Sequence, residues 1–130
     1  MGDGHIERFP RTDALTITPV TDKPSIWMHP EALMEHVIRK KPSRYLSKRA
    51  ACVALRIYQK ELSKRLEIHT GKRRDVKCVL PGWIWGDRDF LVACIKGLFE
   101  AEGSLSIHKP TYTYNLAFAN VNVSLLNEVE

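Results

Sequence analysis

The segment from Asp87 to Gly103 constrains the fold of this 130-residue chain most, because it predicts one long helix. Asp87 suits the N-cap of that helix, and Gly103 is a residue type that commonly ends one. Two choices inside it are unfavourable. Gly97 costs about 0.5–1 kcal/mol relative to alanine in a helix interior, and Glu100 and Glu102 lie at the negative end of the helix dipole. Unfavourable choices that occur together often mark a functional site.

Both unfavourable features have a physical use. Ala93, Gly97 and Ala101 recur every four residues, and such a stripe of small side chains lets a second helix backbone approach closely. Two carboxylates crowded beside that contact would form an anionic pocket, which a hard divalent cation such as Mg²⁺ could neutralise. The alternative interpretation is a core helix in which Gly97 serves packing and the glutamates face solvent.

Charge is strongly segregated along the chain. Residues 39–77 hold 14 basic and three acidic side chains, a net charge of +11, whereas residues 1–38 and 78–130 carry −3 each and the whole chain +5. A basic block of this kind creates a field suited to phosphate backbones. The alternative is a solvated helix face. An anionic membrane surface is a weaker candidate, since no strongly apolar face accompanies the charges.

Other features exclude several classes of protein. No apolar run approaches the roughly 18 residues of a membrane span, and the N-terminus lacks the layout of a signal peptide. We therefore expect a cytoplasmic protein with no membrane partner. The three cysteines (Cys52, Cys78 and Cys94) form no CxxC pair, which indicates neither a disulfide framework nor a structural zinc site.

The remaining secondary structure follows from hydrophobic patterning and turn residues. We predict an edge strand at residues 14–18, a helix opening at Pro30, a strand at 50–58, a helix at 59–69, strands at 104–107 and 112–121, and a last helix capped by Asn122 or Ser124. No internal repeat is evident.

The residues Ile95 to Gly103, IKGLFEAEG, resemble the nine-residue signature of the LAGLIDADG homing endonucleases. Their flanks are similar too: Leu-Pro-x-Trp-Ile precedes the helix, Gly-Ser-Leu-Ser-Ile follows it, and Tyr-x-Leu-x-Phe-x-Asn leads into Leu-Leu-x-x-Val. The likeness divides the chain into an unassigned segment 1–49, a basic strand–helix segment 50–79 that resembles the end of a preceding half-domain, and a signature segment 80–130.

The resemblance implies an α+β fold built from αββαββα half-domains, in one chain or as a homodimer. Their signature helices pack together, and their antiparallel sheets form a basic saddle over the DNA major groove. Only 27 residues follow Gly103, so we expect a truncated domain that a homodimeric partner or a missing second half-domain completes.

The function that the resemblance implies is site-specific cleavage of double-stranded DNA by Mg²⁺-dependent phosphodiester hydrolysis, in an intron- or intein-encoded enzyme. Glu102 would be the catalytic carboxylate and a metal ligand, with the main-chain carbonyl of Ala101 as a neighbouring ligand. Glu100 would be structural, at a helix–helix interface with Ala93, Gly97 and Ala101. The predicted DNA-binding residues are Arg56, Lys60, Lys72, Arg73, Arg74, Lys77, Ser106, His108 and Lys109.

Two alternatives remain at this stage. One is a catalytically inactive module of the same fold, acting as an RNA maturase, a transcription regulator or a degenerate remnant, with RNA as a further partner. The other is a plain basic protein whose nonapeptide match is coincidental. The latter would bind nucleic acid only weakly and without sequence preference.

Overall fold

A computed structural model describes residues 4–19, 24–46, 52–70, 77–120 and 122–129. The fold is α+β with antiparallel sheets. It divides into two compact units, which meet in sequence between Gly71 and Lys72. Each unit has its own hydrophobic core. The N-terminal unit holds the described residues up to 70, and the C-terminal unit holds those from 77 onwards.

The N-terminal unit is built on four antiparallel strands: β1 (Gly4–Arg8), β2 (Asp13–Ile17), β3 (Ser43–Leu46) and β4 (Val53–Gln59). Their order across the sheet is β1-β2-β4-β3. The predicted strand at 14–18 is therefore present as β2, but its prediction as an edge strand is wrong. β2 pairs with β1 on one side and with β4 on the other.

Alternation along β4 gives the sheet two different faces. Val53, Leu55 and Ile57 are buried, and they pack against Met34 of the helix α1 (Pro24–Ile38). α1 begins six residues before the predicted start, because Pro24 takes the first helical turn, where the missing proline N–H is least costly. The proline predicted to open the helix, Pro30, instead lies inside it.

The second helix of this unit, α2 (Leu62–Leu66), is shorter than the predicted 59–69. Glu61 and Glu67, which flank it, both adopt left-handed conformations with φ of 54°, and this geometry interrupts a right-handed helix at each end. Ser63 ties α2 to the sheet: its N–H and hydroxyl both donate to Asp13 Oδ2, at 2.8 and 2.7 Å. The buried Asp13 carboxylate is thereby satisfied, and these two bonds lower its pKa.

An ion pair fastens α1 to β3. Arg44 Nε and Nη2 donate to the two oxygens of Glu31, each at 2.6 Å, and the guanidinium lies 4.6 Å from the ring centre of Trp27. The bond from Arg44 lowers the pKa of the Glu31 carboxyl. Because β3 also pairs with β4, the predicted division between residues 49 and 50 falls inside one sheet.

The C-terminal unit contains α3 (Gly82–Trp85), α4 (Arg88–Glu102), β5 (Gly103–His108), β6 (Thr113–Phe118) and α5 (Val123–Val129). Leu80, Ile84, Leu98 and Leu125 form its core, so α5 packs onto the same cluster as α3 and α4. Among the residues that the structure describes, no helix has the length and apolar character needed to cross a membrane.

Candidate metal and nucleic-acid site

The helix α4 has the predicted bounds and the predicted cap. Asp87 Oδ1 accepts a hydrogen bond from the N–H of Asp89 at 2.7 Å. Cys94 is partly buried against the core cluster, and this burial raises the pKa of its thiol. The Asp87 cap sets the residue at which α4 begins, and the helix then places Glu100 and Glu102 in its last turn.

The junction between α4 and β5 needs glycine for a reason different from the expected one. Gly103 is extended, with φ of −83° and ψ of 153°, so no left-handed conformation requires it. A Cβ at this position would lie 2.5 Å from the carbonyl oxygen of Phe99 and 2.7 Å from its ring. Without a side chain, Gly103 lets the start of β5 lie directly against Phe99 at the end of α4. The ring centres of Phe99 and Phe118 are 5.3 Å apart, and this contact holds the hairpin against the helix.

The two acids at the end of α4 have different surroundings. Glu100 is exposed and lies 3.9 Å from Lys96 Nζ, one helical turn earlier. Glu102 and Ala101 are half-buried. The carbonyl of Glu102 accepts a long 3.5 Å bond from the N–H of Ala119, the residue that follows β6. The last turn is thus tied to the hairpin on its main-chain side.

Carboxylate and carbonyl oxygens are the donors that Mg²⁺ prefers, and it takes them in octahedral geometry. Glu102 and the Ala101 carbonyl match that preference in kind but supply only two donors. Within the described ranges, no group of three or more His, Cys, Asp or Glu side chains is arranged to hold a metal ion. A cation at this position would require donors from elsewhere, such as water, phosphate or a second acid, and the predicted metal site stays a prediction.

The stripe of small residues on α4 is accessible. Ala93 and Gly97 are exposed, and a Cβ built on Gly97 meets no atom within 4 Å. Within the described part of this chain, nothing uses the close approach that Gly97 permits. The helix–helix role predicted for Ala93, Gly97, Glu100 and Ala101 therefore stays a prediction.

The hairpin β5–β6 separates polar from apolar side chains. The register pairs Leu105 with Leu116 and Ile107 with Tyr114 on one face, where these four side chains are 56–71% exposed. The opposite face carries the predicted DNA-binding residues Ser106 and His108, and the predicted Lys109 lies in the turn.

Hydrogen bonds order the tip of the polar face. His108 Nδ1 lies 2.7 Å from Thr111 Oγ1, which lies 2.9 Å from Thr113 Oγ1. The structure thus brings Ser106, His108 and Lys109 together on one exposed polar surface with further donors and acceptors.

The remaining predicted DNA-binding residues lie on separate segments of the chain. Arg56 is on β4 and paired with Glu7, whereas Lys60 is exposed in the turn after β4. Lys77 is exposed in the C-terminal unit. Lys72, Arg73 and Arg74 lie outside the described residues.

One candidate acid was missed at the sequence level. Gly2-Asp3-Gly4-His5-Ile6 has the same pattern, small–acid–glycine–any–aliphatic, as residues 101–105. In both places the glycine is the first residue of an antiparallel hairpin, β1–β2 or β5–β6. This repeat is short. It can be identified because both copies come directly before a hairpin, and each hairpin is followed by a helix. Asp3 itself lies outside the described residues.

Comparison of the chain with protein-family models, with curated proteins and with solved structures finds no match.

Proposed function

We propose that this protein is a LAGLIDADG-type homing endonuclease that hydrolyses double-stranded DNA at a specific site with Mg²⁺. The observation that carries the proposal is the order of elements. The N-terminal unit runs ββαββα, and the C-terminal unit, after the short α3, continues αββα. Among the described residues, the first unit thus has the last six elements of an αββαββα repeat and the second unit has the first four, an order that supports the arrangement implied by the signature at Ile95–Gly103.

The repeat gives each half one acid before its first hairpin, Asp3 in the first and Glu102 in the second. Glu102 would act at a scissile phosphate, and the Ala101 carbonyl would add a further oxygen; Asp3 is the acid at the corresponding position of the first half in the sequence. Bound Mg²⁺ would stabilise the negative charge that develops on the phosphate and its leaving oxygen. The protein's own contribution is to hold Glu102 at the end of α4, directly before the strand β5.

The DNA-facing surfaces are the sides of the sheets that carry polar residues. Ser106, His108 and Lys109 would approach the duplex from the hairpin β5–β6. A two-stranded ribbon fits the major groove, where base edges present distinct donors and acceptors. The stripe at Ala93 and Gly97 would receive a second signature helix.

The test is cleavage of a plasmid library carrying random duplex inserts, with Mg²⁺, followed by sequencing of the cut ends. We expect double-strand breaks at a recurrent sequence. Glu102→Gln should slow cleavage by at least about 100-fold, as removal of a catalytic group commonly does, and Asp3→Asn should have a comparable effect. Both variants should still bind DNA.

Asp89→Asn is the control, because it removes one carboxylate charge from the same helix, at the exposed first turn of α4 and away from Glu102. We expect it to cut within a few-fold of the unaltered protein. Equal activity of the Glu102→Gln protein would reject the catalytic assignment. Sequence-specific binding without cleavage by the unaltered protein would favour the inactive binding module instead.

A further inference from the structure

The sheet of the N-terminal unit has a second face, opposite the one that packs against α1. Alternation and register bring His5, Glu7, Ala14, Thr16, Arg56, Tyr58, Ser43 and Tyr45 to this face. Its aromatic side chains are exposed: Tyr45 by 53% and Tyr58 by 40%. Such a face can receive a polar, anionic partner.

Arg56 lies across this face rather than pointing away from it. It begins on β4, two strands from Glu7 on β1, a separation of about 10 Å. Its Nη2 nevertheless donates to Glu7 Oε2 in an ion pair. The reach is possible because β2 has small residues in between, and the buried Ala14 and Thr16 lie at neighbouring register positions.

Two aromatic rings hold the guanidinium in place. Arg56 Cζ is 5.8 Å from the ring centre of Phe9 and 5.4 Å from that of Tyr58, distances at which a cation and a ring attract each other. The Nε of Arg56 has no hydrogen-bond partner among the described residues, nor does Thr16 Oγ1 beside it. The cation is therefore oriented, but only part of its donor capacity is used.

Ion pairs of partly exposed side chains are weak, because water screens them. Here the arginine side chain is 26% and the glutamate 50% exposed. A DNA phosphate can compete for the guanidinium in such a place: like a carboxylate it is anionic and accepts bidentate bonds, and its binding also releases counterions from DNA.

We propose that Glu7 occupies the phosphate-binding position of Arg56 in the free protein, and that a backbone phosphate of duplex DNA displaces it. Glu7 is then a positioning residue: it holds the cation flat on the sheet and lowers non-specific affinity until DNA competes for it. The inference rests on the proposed function in so far as the sheet faces DNA, but it requires no cleavage.

The experiment measures binding by fluorescence anisotropy, with a random-sequence duplex of about 30 base pairs, in EDTA, at salt concentrations from about 50 to 200 mM. We expect Glu7→Gln to bind about 3–30-fold more tightly than the unaltered protein. Its dependence of log K on log salt should be steeper by about 0.9, the value for one additional neutralised phosphate. Arg56→Ala should weaken binding, and the double variant should match Arg56→Ala alone.

Glu61→Gln is the matched control, because it makes the same charge change beside Lys64 near the start of α2. It should change affinity by less than about twofold. Thermal melting of each variant checks that the unit remains folded. In addition, the ¹⁵N shift of Arg56 Nε should move when DNA is added to the unaltered protein, a response that a purely structural arginine would not give.

The result that overturns the inference is a gain from Glu7→Gln that persists in the Arg56→Ala background, since this would mean simple loss of repulsion. Unchanged affinity of Glu7→Gln would overturn it as well, while leaving the proposed function in place. If the unaltered protein does not bind duplex DNA at all, the proposed function fails together with the inference. Cleavage without any response of Arg56 rejects the inference alone.

Discussion

Gly97→Ala separates the stability of α4 from its proposed contact with a second helix. Gly97 lies in the middle of a 15-residue helix, on its exposed side. Glycine at such a position lowers helix stability, so we expect its small size to serve a close contact with another helix. Among the described residues, no atom outside the neighbouring backbone of α4 lies within 4 Å of the position of the added methyl group, so the substitution should be tolerated without a clash.

The expected gain follows from helix propensity alone. Alanine is favoured over glycine in an exposed helix interior by about 0.5–1 kcal/mol, and no contact has to be broken. With a urea m-value of about 1.5 kcal/mol per molar, the unfolding midpoint should rise by about 0.3–0.7 M. The melting temperature should rise by about 3–6 °C.

The effect on function should have the opposite sign. If a partner helix packs on the stripe, the added methyl group separates two backbones that must approach closely. DNA cleavage should then fall while the stability of the free chain rises. The measurements are urea unfolding followed by circular dichroism and cleavage of the recurrent site found in the library experiment. Ala93→Gly, one turn earlier on the exposed side, is the control and should lower stability by about the same amount.

Two outcomes would refute this reasoning, each at a different step. A less stable Gly97→Ala protein would mean that some part of the free chain already contacts this position. A more stable protein that retains full cleavage would mean that no helix packs there, and the resemblance of this segment to the signature would lose its physical basis.

Two further predictions concern the stability of the separate units. Gly103→Ala should destabilise the C-terminal unit by about 1–3 kcal/mol in urea unfolding, because its Cβ would lie 2.5 Å from the Phe99 oxygen; an unchanged midpoint would show that the junction relaxes freely. Asp13 has its pKa lowered by the N–H and hydroxyl of Ser63, so the stability it contributes is present above about pH 4 and is lost as the pH falls through the folded-state pKa. Melting curves between about pH 6 and 2.5 should therefore fall more steeply for the unaltered protein than for Asp13→Asn, and parallel curves would contradict this.

The sequence predicts the C-terminal unit well because its signals are local. The Asp87 cap, the uninterrupted helical segment and the glycine at 103 all lie within one element, and they agree. The alternation of β5 and β6 and the turn between them are equally local. One detail depends on the folded structure: Gly103 is needed because of its close contact with Phe99, and not because of a left-handed turn.

The N-terminal unit was harder to predict because its order depends on distant pairings. β2 becomes an interior strand only through β4, some 40 residues later, and nothing within residues 13–17 indicates that neighbour. The length of α2 depends on the left-handed Glu61 and Glu67, residues that carry no turn signature of their own. Asp3 escaped notice for a related reason: its likeness to Glu102 becomes visible once both are seen to precede a hairpin.

Folding brings acidic side chains from the N-terminal segment next to arginines of the basic block, and this reduces the positive charge that the block presents. Arg44 and Arg56 belong to that block, yet Glu31 and Glu7 from the acidic N-terminal segment neutralise them within one unit. The first pair is bidentate and joins α1 to β3, so breaking it would cost packing as well as charge. The second pair lies on a face that α1 leaves uncovered. The net charge of +11 counted along the sequence therefore overstates the positive potential of the folded unit. In our proposal, a competing phosphate restores part of it by displacing Glu7 from Arg56.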